Sequence, residues 1–499
     1  MDRGPSSSVG QIRLALAEDR LADAEAMLDA VSATDPRREA CVLGIALARG
    51  RVGEVARSRP TDRWGRRIVA LARSAQIELG TPLGLTGPSG PARPGHVPID
   101  SYPRILHVVT NSLPLVQAGS TIRTHRILRA QCDLGWRASA VTRPGFPVVR
   151  GDLSAASPEI VDGIAYHRLL PTVMPSREGT LAAYVDLLDA LVASEGPDVL
   201  HPASDHVNAA AALIVGRRRS IPVVYEVRAF PEDSWLSRHR YSGAADSDLY
   251  RMLSARHDEV IRASDVLTTL GARMRDHLID RGADPERIVV VPNSVDAGFA
   301  APAREAADAR GRLGIEAGEL LVGSVTTMYS YEGLETIIEA AAMLRSTGTD
   351  VRVMIVGSGP ARDELAARAA RLGVPLHLPG AVPFREVMAY FDALDVFCLP
   401  RVDDRVTRIV TGLKPLEAQA RARPVIGSDL PAVAEVLAPG ADLAPAGDVG
   451  AWAAALGRYV DPQVREVRGD SARRWVLEHR TWPAVVEGYR RAYAMAGVT

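Results

Sequence analysis

Lysine is almost absent: the 499 residues hold 59 lysine and arginine side chains, and one of them, Lys414, is a lysine. A chain that uses arginine wherever a cation will serve has kept one compact ammonium, which singles out its surroundings. Cysteine is scarce too, and Cys41, Cys132 and Cys398 stand too far apart for metal-binding or redox spacing. Two of the three sit in apolar runs, as buried thiols of a reducing cytoplasm would. A formal net charge of −1 removes any overall pull toward nucleic acid. The stretch from Met1 to Ser8 lacks the charged-then-apolar layout of a secretory leader. No apolar run approaches the roughly 18 residues of a membrane span; the best candidate, Ala209 to Val215, is stopped by Gly216 and three arginines. The expected setting is the cytoplasm, with peripheral contact at the inner face of the membrane left open.

What is present is ordinary globular material, 47% hydrophobic and 24% charged, enough for a sizeable core. Residues 1–80 are rich in Ala, Leu, Arg and Glu with helical spacing of apolar positions, and no 34-residue repeat is evident. They are read as a helical region that either binds a protein partner or simply packs on the next domain. Residues 81–102 form a Pro/Gly-rich linker. From Arg104 the pattern becomes β-rich runs alternating with helical ones, which indicates a mainly parallel sheet covered by helices over residues 103–300. Residues 301–318 read as a second linker with a short helix, and 319–480 repeat the α/β theme. The predicted fold class is α/β: two doubly wound domains in succession, with ligands at the carboxyl ends of their strands and a cleft between them.

The stretch from Arg401 to Gly427 is where the chemistry concentrates. A strand, Val396 to Leu399, runs into a loop bearing Arg401, Arg405 and Arg408, then Gly412, Lys414, Pro415 and a helical run from Leu416. Proline suits the first helical position, where free N–H groups favour an anion. Gly412 lets backbone approach a ligand, Lys414 supplies a point charge for phosphate, and Glu417 could accept from the two hydroxyls of a ribose. Phosphate and sugar diol side by side describe a nucleotide. An ordinary helix start is the plainer alternative.

Other residues carry less. Asp403 and Asp404 could hold a magnesium ion, but with arginines on either side they are read as solvated or arginine-paired acids. His201 and His206 lack further ligands for a metal. Arg228 and Glu232 follow a strand end facing the cleft, as donor or acceptor contacts or as a structural Arg–Glu pair. Gly119 and Ser120 open a helix and either meet the diphosphate from the first domain or mark a turn.

Several segments together carry a family resemblance: V-V-V-P-N-S-V-D at Val289–Asp296, M-I-V-G-S-G-P at Met354–Pro360, L-P-G-A-V-P, D-V-F-C-L-P, and K-P-L-E-A-Q-A-R-A-R-P-V-I from Lys414. From Arg104 onward the chain resembles the retaining glycosyltransferases of family 4, with the GT-B fold of two Rossmann-like domains. It is most similar to a bacterial subgroup associated with exopolysaccharide assembly, through Asn111 to Ser120 with Arg123, Tyr225 to Phe230 with Glu232, and Tyr331 to Leu334. The resemblance implies a nucleotide diphosphate sugar donor, a glycan, lipid-linked or small-molecule acceptor, no cofactor, no metal and no nucleic acid. It makes 103–300 the acceptor domain, 319–480 the donor domain and 481–499, beginning at Thr481 and Trp482, a helix crossing back to the first domain. Lys414, Arg405 and Arg228 become the catalytic candidates. Glu417, Thr411, Gly412, Arg401, Ser324, Gly357 and Val382 become donor contacts, Gly119, Ser120 and Arg123 the first-domain loop, and Glu232 an acceptor contact.

Two departures stand out. The family's signature has two glutamates with seven residues between; Glu417 matches the second, and Ile409 stands in place of the first. The Arg and Lys usual in the first donor-domain loop are also missing. An idle transferase-like scaffold acting through residues 1–80 is therefore the alternative function. A dinucleotide oxidoreductase falls away because neither domain's first strand is followed by G-x-G-x-x-G.

Overall fold

The computed structural model describes residues 8–85, 87 and 102–498, apart from 155, 175–178, 240, 302–308, 312, 316–317 and 384–385. Most of the 81–102 linker and much of the 301–318 linker therefore lie outside the described residues.

Five helices open the chain, Ser8–Ala17, Leu21–Leu28, Arg38–Ala48, Val52–Arg57 and Arg63–Gly80. The last is capped by Asp62, whose carboxylate accepts the Trp64 and Gly65 N–H groups left free by the first turn. These helices bury two small apolar clusters of their own. They also dock on the helix Asp248–Ala263: Leu249 and Met252 pack into one of those clusters, and Arg256 donates to the Glu78 carbonyl.

The first α/β domain carries strands β1 (Arg104–Val109), β2 (Arg137–Thr142), β3 (Glu159–Val161), β4 (Ile164–Arg168) and β5 (Val199–Pro202), in the order β3-β4-β2-β1-β5. Strands β6 (Val224–Val227), β7 (Val266–Thr269) and β8 (Ile288–Val290) continue it, because single bridges Leu200–Val223 and Ala203–Glu226 join β5 to β6. Every pairing except β3–β4 is parallel. Central strands such as β5, β6 and β7 are buried at every position, and each opens on apolar residues, although His201, Glu226, Thr268 and Thr269 are buried among them. The second domain holds β9 (Leu320–Val325), β10 (Val351–Val356), β11 (Leu376–Gly380), β12 (Val396–Leu399), β13 (Val425–Ser428) and β14 (Asp442–Ala444), all parallel in the order β11-β10-β9-β12-β13-β14. The order reverses between β9 and β12, and a crevice opens there beyond the carboxyl ends.

The helices Trp482–Val485 and Glu487–Met495 pack on the first domain, with Tyr489 and Tyr493 among Val199, Val224, Val266 and Val289. A bridge between Val295 and Thr481 sets the two interdomain crossings side by side. Two strands were not foreseen, β3 and β14. Each is three residues long at a sheet edge, too short to leave a period. The loop expected after β12 also needs correction, since Arg405–Ile409 is a short helix with Asp404 at its N-cap.

Candidate functional site

The loops after β9, β10 and β12 build the site. A Cβ on Gly357 (φ 139°) would lie 1.9 Å from the Thr326 carbonyl oxygen, so the loop after β10 rests directly on the loop after β9. Likewise a Cβ on Gly333 (φ 64°) would lie 2.0 Å from the Pro400 carbonyl oxygen. That contact brings Glu332 to Arg401, at 3.3 Å, while Arg401 Nη1 donates to the Val410 carbonyl at 2.9 Å. Gly412 is close by, its Cβ position being 3.6 Å from Arg401 Nη2. Val382, just past β11, packs against the second domain's core.

The helix Lys414–Ala420 begins one residue before Pro415, so the lysine itself opens the first turn. Lys414 Nζ donates to Glu417 Oε2 at 2.8 Å, and Glu417 is fully buried. Its other oxygen accepts from both terminal nitrogens of Arg126 at 3.3 Å, across the domain boundary. Arg126 in turn pairs with Asp296 at 2.9 Å. The one lysine and the expected ribose carboxylate are thus joined, with a first-domain guanidinium against the same carboxylate.

Two hydroxyls in this region are buried without partners among the described residues, Ser324 Oγ at the end of β9 and Thr411 Oγ1 before the lysine. Thr411 lines a cavity of 230 Å³ between the domains, together with Gly271, Asn293, Glu435 and Arg480. A buried hydroxyl without a partner carries a desolvation cost of about 1–3 kcal/mol, which a ligand would relieve.

Arg405 points at the first domain, its Nε 3.0 Å from Asp233 Oδ1, and its side chain is about half exposed. Burial pushes the Asp233 carboxyl up from its ordinary value, with Arg405 opposing that shift. Asp403 pairs with Arg408 and Asp404 accepts from Ser237, so both acids are engaged by neighbours.

The first-domain candidates divide. Gly119 and Ser120 open the helix Gly119–Asp133 and are exposed. A Cβ on Gly119 would meet nothing, so crowding does not require the glycine. Arg228 is buried: its Nε and Nη2 hold Glu226 Oε2 at 2.8 and 2.5 Å, and its Nη1 donates to the Ser120 carbonyl at 3.0 Å and to Thr124 Oγ1 at 2.7 Å. Arg123 is also buried, bonding Glu226 Oε1 at 2.6 Å, Asn293 Oδ1 at 3.0 Å and Tyr489 Oη at 3.0 Å. The structural pair expected between Arg228 and Glu232 is replaced by one between Arg228 and Glu226, while Glu232 turns to His257 and Arg281. Glu232 bonds His257 at 3.1 Å and also Arg281; burial works against its ionisation, and the contacts with His257 and Arg281 outweigh it, holding the carboxyl at about 2.

Glu226 is the residue that sequence reading missed. It is fully buried, and although burial opposes its charge, Arg228 and Arg123 hold it well below the usual carboxylate range. His201 lies beside it at 3.7 Å, stacked on His107 with ring centroids 4.3 Å apart and bonded to Tyr493 Oη at 2.6 Å. Burial pushes both imidazoles below their ordinary value. The available signal was an acid inside the apolar run V-V-Y-E-V with an arginine two residues on, hence on the same face of the strand.

Comparison with known proteins agrees with this architecture. Residues 118–294 match the model of a glycosyl transferase 4-like domain, and residues 319–461 match glycosyl transferases group 1. The chain is 31% identical over 251 residues to a D-inositol 3-phosphate glycosyltransferase of Nocardia farcinica, covering 48% of this chain and 54% of that protein. It thus spans about half the length of such a curated relative. Among solved structures it is similar to a sucrose-phosphate synthase from Thermosynechococcus elongatus, with TM-score 0.63 and 19% identity over 78% of this chain and 99% of the other. It is also similar to Anabaena HepE in complex with UDP and glucose, with TM-score 0.62 and 16% identity over 79% of this chain and all of that one. With both domain models matched in sequence order on two facing Rossmann-like sheets, the chain belongs to the group 1, family 4-like glycosyltransferases of the GT-B fold.

Proposed function

We propose that this chain transfers a glycosyl group from a nucleotide diphosphate sugar to a hydroxyl of an acceptor, retaining anomeric configuration, in surface polysaccharide or glycoconjugate synthesis. The observation that carries the reading is the first turn after β12, where the chain's one lysine meets the fully buried Glu417 beside the unpartnered Thr411 hydroxyl. In this reading Glu417 accepts from the ribose hydroxyls and Thr411 meets the donor sugar. Ser324 and the Gly357 loop border the diphosphate, Arg401 braces the loop that holds Gly412, and the backbone near Val382 meets the base.

The leaving diphosphate gathers negative charge as the glycosidic bond breaks, and fixed cations held in place beforehand lower that barrier most. Lys414 and Arg405 take that role. The acceptor attacks on the face the diphosphate leaves, and its proton passes to the diphosphate, so no hydrolase-like pair of protein carboxylates is needed. Arg228, fixed by Glu226, holds the backbone at Ser120 and so positions the Gly119–Ser120 loop on the acceptor side.

In the conformation described, Arg126 occupies Glu417 where a ribose would bind. Donor entry on this reading displaces that guanidinium. One observation favours the second reading, an idle scaffold: Ile409, in place of the family's first glutamate, packs against the first domain's core. A thermal-shift screen against nucleotide diphosphate sugars, followed by turnover with each stabilising donor, separates the two. Stabilisation with hydrolysis or transfer supports the enzyme; no turnover with any donor overturns it.

A further inference from the structure

A second cavity, of 850 Å³, lies where the interdomain crossings meet the first domain. Its walls are Ile122 and Ala130 on the outer face of the helix Gly119–Asp133, Val295 and Phe299 at the domain's end, and Trp482 and Val486 of the returning helices. An apolar concavity of this size is the form of a small-molecule site rather than of idle surface. Trp482 is 4% exposed, and its indole N–H finds no acceptor among the described residues. A ligand oxygen would satisfy that donor.

Charge at the rim narrows the class of ligand. Asp296 and Glu487 are paired with Arg126 and Arg490, while Asp162 hydrogen-bonds His125, whose imidazole burial holds below its ordinary value. Arg129 makes no ion pair among the described residues and is exposed, with Asp133 one turn further on. An anionic head beside Arg129 fits this arrangement.

The surface beyond the rim indicates where such a ligand comes from. Pro114 and Val161 line the cavity, and their neighbours Leu115 and Ile160 stand exposed. Arg168 bonds Ser112 Oγ at 2.7 Å, and the Gly145 N–H bonds the Leu169 carbonyl, so the loops after β1, β2 and β4 are tied together at one end of the sheet. Those loops also hold Val149, Leu153 and Val173 in solvent, the last two 81% and 80% exposed. Large apolar side chains gathered at one end mark an interaction surface.

We propose that the cavity takes the apolar chain of an amphiphile with an anionic head, drawn from a lipid surface on which these loops rest, and that this amphiphile carries the acceptor. Arg126 links the two regions, since it lines the cavity and also touches Glu417. The acceptor assignment rests on the transferase reading; the binding does not.

The probe is decyl phosphate, titrated into the full chain and followed by tryptophan fluorescence and calorimetry. Saturable binding is expected. Ala130→Trp, which fills the cavity, weakens it by about tenfold, and Trp482→Phe by about fivefold. Arg129→Ala weakens decyl phosphate by about fivefold and leaves decanol unchanged. Nucleotide-induced thermal shifts stay as in the wild type, which controls for folding. Equal affinity in wild type and Ala130→Trp, absence of saturable binding, or inorganic phosphate binding as tightly as decyl phosphate would each overturn the site. Flotation with phosphatidylglycerol vesicles tests the source. The wild type is expected to float and a Val149→Asp, Leu153→Asp, Val173→Asp variant to remain behind; no flotation of the wild type would overturn the lipid origin. No turnover is read in these assays, so a failure here and a failure of the transferase reading are distinguishable.

Discussion

Removing Arg126 should tighten nucleotide binding, because that side chain occupies the carboxylate assigned to the ribose. Glu417 is fully buried and has two cationic partners, Lys414 at 2.8 Å and Arg126 at 3.3 Å. Taking one partner from a buried carboxylate costs about 3–5 kcal/mol when the interior stays sealed. Both Arg126 contacts are at the long end of hydrogen-bond distances, and the pair spans a domain boundary that water can enter, so about 1–2 kcal/mol is the better figure. A ribose diol, giving two hydroxyl donors to the same oxygens, recovers that loss. Arg126→Ala should therefore lower the dissociation constant of a nucleoside diphosphate by about 5- to 30-fold. Arg126→Lys, which keeps one charge, should fall between the two. Isothermal titration of UDP, GDP and ADP into wild type and both variants measures the effect. Unchanged or weaker binding in Arg126→Ala would refute the idea that the guanidinium stands in the donor's place.

Other outcomes rest on the buried polar groups. Glu226→Gln leaves Arg123 and Arg228 without their shared counter-ion and should destabilise the chain by about 3–5 kcal/mol, read by urea unfolding; a loss under 1 kcal/mol would contradict the network. His107 and His201 have folded pKa values below their unfolded ones, so the unfolded chain binds more protons. Stability should therefore fall as pH drops below about 6.5. Glu226, whose folded pKa is also depressed, adds a further loss below about 4.5 that Glu226→Gln should lack. Thermal melts from about pH 2.5 to pH 8 on both proteins check both signs. Thr411→Val removes an unpartnered hydroxyl, so it should leave the ligand-free protein as stable or slightly more so while lowering transfer by about tenfold; a marked loss of melting temperature would show the hydroxyl was satisfied after all.

The parts of the fold that could be read from sequence are those where burial leaves a period or an unbroken run. The central strand β12 is apolar at every position because both faces are covered, and β5, β6 and β7 are equally buried and open on short apolar runs. β3 and β14, three residues each, leave no such trace. The helix Arg405–Ile409 did have a local signal, Asp404 followed three residues later by Thr407, whose hydroxyl takes the Asp404 N–H at 3.0 Å. Assigning Arg401 and Arg405 to the donor placed this stretch in a loop and masked that signal. Lys414 and Glu417 stood out because composition and helix-start chemistry are local properties. Arg126, 291 residues from Glu417, could not be linked to it without the fold. The fate of Arg228 turned on direction: it lies just past β6, two residues from Glu226, and the shorter reach to a buried acid took precedence over the cleft.

The proposed chemistry turns on the single lysine meeting the donor's diphosphate. Single-turnover transfer or hydrolysis of a stabilising nucleotide diphosphate sugar by wild type and Lys414→Ala, with melting temperature as a fold control, probes that contact without intermediaries. The variant should lose about 100-fold or more in rate, as expected when a fixed charge is taken from a developing oxyanion, while melting as the wild type does. A folded Lys414→Ala variant with undiminished turnover would contradict it.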